Sequence, residues 1–156
     1  MRSRTHPVVL PSEVGDFADE VRQVFLELGR TLGAEALTGE CSPAIDVYET
    51  DDAIEIVVDL PGVDRSAVRV IIKGDTVLVA GQKTARKAPG ESSFHLVERG
   101  FGRFARTVRL ARSCDAQRAR AVLADGELRV RVPKIADRRG RSVQIPIDVP
   151  QSGSAH

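Results

Sequence analysis

Few side chains in this 156-residue chain have the type and spacing to do chemistry, and each set lacks the surroundings that chemistry needs. Gly100-x-Gly102-x-x-Ala105 satisfies a loose dinucleotide-binding pattern, in which glycines let the backbone approach a pyrophosphate. That use requires a strand before the motif and a helix after it. Here an alternating segment, Phe101 to Leu110, follows instead. No GxxxxGK[ST] segment is present, so ATP has no visible seat, and neither GxSxG nor HExxH occurs. His6, His95 and His156 are isolated, and Cys41 and Cys114 form neither a CxxC pair nor a metal spacing. Asp51 and Asp52 follow Thr50 as turn chemistry. Arg138, Arg139 and Arg141 could meet a phosphate, yet in a polar tail they read as solvated charges. The expectation is a protein with no catalytic residue, no cofactor and no metal.

Composition excludes other classes. A net charge of +1 provides no global field for nucleic acid or a membrane surface. Aromatic residues are 4%, with no Trp, so stacking on bases is poorly supported. No run of about 18 apolar residues occurs, and the start, MRSRTHPVVLPSEVGD, is too weakly apolar for a secretory leader. A cytoplasmic protein with reduced thiols is expected.

The elements that remain are mostly strands. Ala119, Ala121 and Leu123 fall on one face, opposite Arg118, Arg120 and Val122. Leu128, Val130 and Val132 alternate with Glu127, Arg129 and Arg131. This period of two predicts two half-buried strands, joined by Asp125-Gly126, a dipeptide suited to a tight hairpin. Upstream, Ile45 and Val47 alternate with Asp46 and Tyr48, and Ile54, Ile56, Val58 and Leu60 with charged residues. Val68, Val70 and Ile72 predict another strand, as do Thr76 to Gln82 and Phe101 to Leu110. Lys83 to Ser93 reads as an exposed loop, with Phe94 to Glu98 as a short strand beside it. Short strands at this spacing argue for an all-β sandwich.

Two arms flank that domain. Residues 1–42 contain a predicted helix from Glu13 to about Leu28, capped by Ser12 and ended by Gly29. Val14, Phe17, Val21, Val24, Phe25 and Leu28 form its apolar stripe. This stripe either packs on the chain's own domain or is held for self-association and unfolded partners. Residues 43–134 form the β domain. Residues 135–156 form a polar tail with one apolar island, Val143 to Ile147. Ile145 and Ile147 project to the same side of an extended chain, stiffened by Pro146.

Several segments together resemble the α-crystallin-type small heat-shock proteins of bacteria, over about residues 43 to 147. Ala121, Gly126 and Leu128 resemble the hairpin signature. Val58-Asp59-Leu60-Pro61-Gly62-Val63 resembles the apolar-acid-Leu-Pro-Gly-Val segment. Glu98 to Arg106 resembles ER-x-x-G-x-F-x-R, and Ile145-Pro146-Ile147 matches the C-terminal I-x-I anchor. Val108 departs from a usual Phe, Ala111 from a usual Pro, and Glu127 from a usual aliphatic residue.

The resemblance implies an immunoglobulin-like sandwich, the α-crystallin domain, and an ATP-independent holdase chaperone without enzymatic activity. It implies a dimer formed by exchange of Phe94, His95, Leu96 and Val97 onto a partner's Ile45 and Val47, with Arg106 at the interface. It implies that Ile145, Pro146 and Ile147 anchor in a groove lined by Val68, Val70, Ile72, Ala119, Ala121 and Leu123. The implied partners are unfolded clients, further copies of the chain, and ATP-dependent refolding chaperones downstream. The apolar stripe of the N-terminal helix is the candidate client-binding surface. A monomeric co-chaperone or scaffold would lack the I-x-I tail and the long loop, and a sandwich enzyme would need convergent polar groups.

Overall fold

A computed structural model of the chain describes residues 16–32, 40–85, 88–135, 142 and 144–147. A helix, α1 (Ala18–Leu32), precedes the strands β1 (Ile45–Glu49), β2 (Ala53–Asp59), β3 (Val68–Lys73), β4 (Thr76–Lys83), β5 (Gly102–Arg109), β6 (Arg120–Ala124) and β7 (Glu127–Pro133). They form two antiparallel sheets, β1-β2-β7-β6 and β3-β4-β5. The alternation read in the sequence sets the packing. Ile54, Ile56 and Val58 of β2 and Leu128, Val130 and Val132 of β7 turn inward onto Val77, Val79, Phe104 and Val108. Each such side chain contributes roughly 1.5–3 kcal/mol on burial. The residues between them, Glu55, Arg129 and Arg131, face outward. There Arg131 bridges Glu55 and Asp52.

The β6–β7 hairpin is tied to the turn that follows β2. Asp125 and Gly126 both take positive φ, 53° and 78°, which matches the twist of a two-residue hairpin. The Leu60 N–H donates to the Gly126 carbonyl at 2.8 Å. A Cβ on Gly126 would stand 3.3 Å from the Pro61 Cα. Gly126→Ala is therefore expected to destabilise the domain by about 1–2 kcal/mol, the penalty of a left-handed conformation for a side-chain-bearing residue. Chemical denaturation measures this, and an unchanged midpoint would contradict it.

Strand β4 differs from the others. Val77 to Gln82 are buried without alternation, so both of its faces are covered. The inner face meets the sandwich core. The outer face, Leu78 and Ala80, lies under Phe17, just before α1, and Val24 and Leu28 within it.

Four expectations need correction. Helix α1 begins at Ala18, after a tighter turn at Asp16 and Phe17, and its predicted start at Ser12 and Glu13 lies outside the described residues. It runs through Gly29 to Leu32. A helical glycine costs about 1 kcal/mol relative to Ala, and the fully buried Leu28 beside it offsets that. Phe94 to Glu98 forms no strand, because the segment meets no partner ladder among the described residues. Arg118 belongs to a short 3-10 turn, Ala116–Arg118, and not to β6. Glu40 and Cys41, read as the end of the arm, already pair with β5, where the Cys41 N–H donates to the Arg103 carbonyl at 2.9 Å.

Candidate functional site

Sheet topology alone fixes where a partner could bind. β3 is an edge of one sheet and β6 an edge of the other, and residues beside both edges line one groove. Between them opens a groove of about 370 Å³. Val70 and Ile72 form one wall, Ala119 and Ala121 the other, and Val130 of β7 the base. The small alanines keep the wall low and leave room for a bulky aliphatic side chain. Ala116, Gln117 and Arg120 complete the rim.

Of the six groove residues expected from the sequence, four line it. Val68 is buried in the sandwich core instead, and Leu123 packs against that core. Each sits two residues from a lining residue, Val70 and Ala121, on the same face of its strand. Val130 was missed although the hairpin register names it, since it is the cross-strand partner of Ala121. Ala116 and Gln117 carried no signal, because their turn is set by Asp115, whose carboxylate accepts from the Gln117 N–H.

In the same chain, Ile145 and Ile147 are 80% and 95% exposed. Two large aliphatic side chains in water, with a stiff proline between them, and an open aliphatic groove are complementary in shape and chemistry.

The second uncovered feature is the other end of the larger sheet. β1 pairs only with β2, so its outer edge presents unpaired backbone groups. Ile45 is partly buried there, and Val47 and Tyr48 are about half exposed. Phe94, His95, Leu96 and Val97 all lie exposed in the long loop, the three apolar ones at 67–73%. Arg106 spans the gap between the sheets inside its own chain, donating to Ser42 Oγ at 3.0 Å and to the Pro43 carbonyl at 2.8 Å. It thus holds the entry to β1 at the edge where a strand could add.

The N-terminal stripe is placed differently from its client-binding expectation. Phe17, Val24 and Leu28 are buried on β4, with Val21 and Phe25 partly buried at the margins, so the stripe is covered in this conformation. The reason is an apolar outer face on the smaller sheet, made by Ile71, Leu78, Ala80 and Ala105. Val14 lies outside the described residues.

Gly102 opens β5 and no helix follows it, which removes the dinucleotide reading. Among the described residues no group of three or more His, Cys, Asp or Glu side chains could hold a metal. Cys41 and Cys114 are unpaired. Partial burial pushes both thiols above their ordinary range, and the Glu49 carboxylate adds to this at Cys114. Neither is therefore primed as a nucleophile. Among the described residues no helix is long and apolar enough to cross a membrane.

Comparison with known proteins gives one consistent family. The model of the Hsp20/alpha crystallin family matches residues 46–147. Spore protein SP21 of Stigmatella aurantiaca is 35% identical over 103 residues, covering 66% of this chain and 61% of that relative. The 17.6 kDa class I heat shock protein of Solanum peruvianum is 33% identical over 120 residues, covering 76% and 78%. Among solved structures, heat shock protein 16.0 from Schizosaccharomyces pombe superimposes with a TM-score of 0.58 at 32% identity, covering 70% of this chain and all of that one. A small heat-shock protein from Xylella fastidiosa, which has a distinct high order structure, gives 0.58 at 26% identity, covering 69% and 98%.

Proposed function

This chain belongs to the Hsp20/alpha-crystallin family, and on that premise we propose that it is an ATP-independent holdase. It binds unfolding proteins, keeps them from aggregating under stress, and makes or breaks no covalent bond. The observation that carries the reading is the pairing, in one chain, of an open apolar groove between β3 and β6 with an exposed Ile145-Pro146-Ile147.

Each tail anchors in the groove of another copy, with Val70, Ile72, Ala119 and Ala121 as its seat. Phe94, His95, Leu96 and Val97 of the long loop add as a strand to a partner's β1 at Ile45 and Val47, beside Arg106. The added ladder covers an edge that is otherwise a template for aggregation. Dimers formed at that edge join through the tails into larger particles. Heat loosens the weak tail contacts first and frees apolar surface. Clients present the complementary features, apolar segments and unpaired strands. ATP-dependent chaperones then refold what this protein releases. We assign the protein to the cytoplasm, where its two unpaired thiols stay reduced. The division into arm (1–42), domain (43–134) and tail (135–156) is proposed on the same grounds, with the arm's last residues doubling as a β5 partner.

The test is suppression of aggregation by the full chain without nucleotide, with a thermally unfolding client followed by light scattering. Full suppression near one subunit per client molecule is expected. Unchanged client aggregation at excess chaperone would overturn the reading.

A second expectation concerns the arm. Removing residues 1–39 strips α1 from Leu78 and Ala80 but keeps the Glu40–Cys41 pairing with β5. The remainder is expected to stay folded, since its sandwich core lies on the other face of β4. A remainder that unfolds or aggregates by itself in circular dichroism and light scattering would show that α1 belongs to the core.

A further inference from the structure

The outer face of the β3-β4-β5 sheet is built to receive a helix. Leu78 and Ala80 are fully buried there, Ile71 and Ala105 partly so, and it is α1 that covers them. We propose that this face is a docking site for acid-flanked amphipathic helices of unfolding clients, and that α1 occupies it as an internal stand-in. The proposal rests on the holdase reading and assigns a receptor surface and a client chemistry to it.

The fit is specific in two respects. Phe17, Val21, Val24 and Leu28 recur at steps of four, three and four, the seam that a helix presents along one side. Charge complements that seam along the β3 rim. Lys73 Nζ reaches Glu20 Oε1 at 3.0 Å and the Asp16 carbonyl at 3.2 Å. Arg69 Nε stands 3.9 Å from Glu27 Oε2. Glu20 and Glu27 are two turns apart and so lie on one flank of the helix. On the opposite rim Arg103 lies 5.5 Å from the Phe25 ring centroid. The face therefore reads a bulky apolar seam and an acidic edge.

α1 also holds the site loosely. Thr107 is 1% exposed beneath it, and its hydroxyl has no hydrogen-bond partner among the described residues. An unsatisfied buried hydroxyl weakens an interface. Gly29 weakens the helix itself, and the ion pairs are partly exposed, where such pairs contribute little. An occupant with a better seam can displace α1.

The test uses the full-length protein and a fluorescent peptide of residues 16–32, read by anisotropy. The parent protein is expected to bind it weakly, because α1 competes from the same chain. Leu28→Asp, which evicts α1, should tighten binding by roughly tenfold or more, as the competent fraction rises. Adding Arg69→Glu and Lys73→Glu to that variant, which turns each attraction into a repulsion, should weaken binding of this peptide several-fold and shift the preference to one carrying Glu20→Lys and Glu27→Lys. That swap requires a folded face, so it distinguishes lost docking from lost structure. A scrambled peptide should bind none of them. No gain with Leu28→Asp, equal binding of the scrambled peptide, or no exchange of charge preference would each overturn the proposal. An unrelated helix with the same apolar seam and acidic flank should also bind; if only the chain's own peptide does, the face exchanges α1 between copies and the client assignment falls. Client aggregation is followed on the same samples. Suppression without peptide binding overturns this docking face alone, whereas peptide binding without suppression overturns the holdase reading and clients as its occupants.

Discussion

Replacing Ile145 and Ile147 together with serine is expected to reduce the native particle to dimers. Both side chains stand in water in the single chain, at 80% and 95% exposure. Burial in a groove contributes about 1.5–3 kcal/mol for each. Ordering a free tail offsets part of this, so one tail is a reversible latch. Many latches act together in one particle, and their combined effect greatly exceeds that of one. Serine removes nearly all of the apolar gain while leaving Pro146 and the chain length intact. The strand exchange proposed at β1 would use backbone hydrogen bonds and is expected to survive the change. The reciprocal lesion, Ile72→Asp in the groove wall, is expected to give the same dimers, because it puts a charge in the seat. Multi-angle light scattering measures the mass directly. A particle of unchanged mass in the serine variant would contradict the latch.

The largest expected effect on stability is at Gly81. A Cβ there would collide with the Ala67 carbonyl oxygen and stand 2.8 Å from Phe104 Cζ and 3.0 Å from Val68 Cα. Two of these three contacts are backbone atoms where the chain enters β3, so neither can move aside alone. Gly81 itself is an ordinary strand residue paired with Val68 and Phe104. The need is for space and not for unusual backbone angles. Gly81→Ala is expected to destabilise the domain by about 3 kcal/mol, at the upper end for overpacking. For a domain of this size the melting temperature falls by roughly 10–25 °C. Calorimetry measures it, and a shift of only a degree or two would show that the sheet can part there.

Much of this architecture was legible in the sequence because a strand with one buried face must alternate. The inward Ile54, Ile56 and Val58 and the inward Leu128, Val130 and Val132 were readable from period alone, and Asp125-Gly126 announced its turn. The groove was legible where its walls follow the same rule, at Val70, Ile72, Ala119 and Ala121. It was misread at Val68 and Leu123, because alternation gives the face of a sheet but not where two edges diverge. The seat of α1 was signalled and overlooked. Val77-Leu78-Val79-Ala80 has no polar alternation, which means that both faces of β4 are covered, and the stripe of α1 is the apolar surface available to cover the outer one. Phe94 to Glu98 misled for the opposite reason. Its composition suits a strand, but a strand exists only where another strand offers a ladder, and one chain offers none to this segment.

As a holdase, this protein keeps unfolding clients soluble within a particle of many copies and needs no nucleotide. The most direct measurement heats an aggregating client with the full-length protein in the absence of ATP and resolves the soluble fraction by size-exclusion chromatography with light scattering. The client is expected to elute with the chaperone in a complex of many subunits. A client that precipitates while the protein elutes alone as a monomer would contradict it.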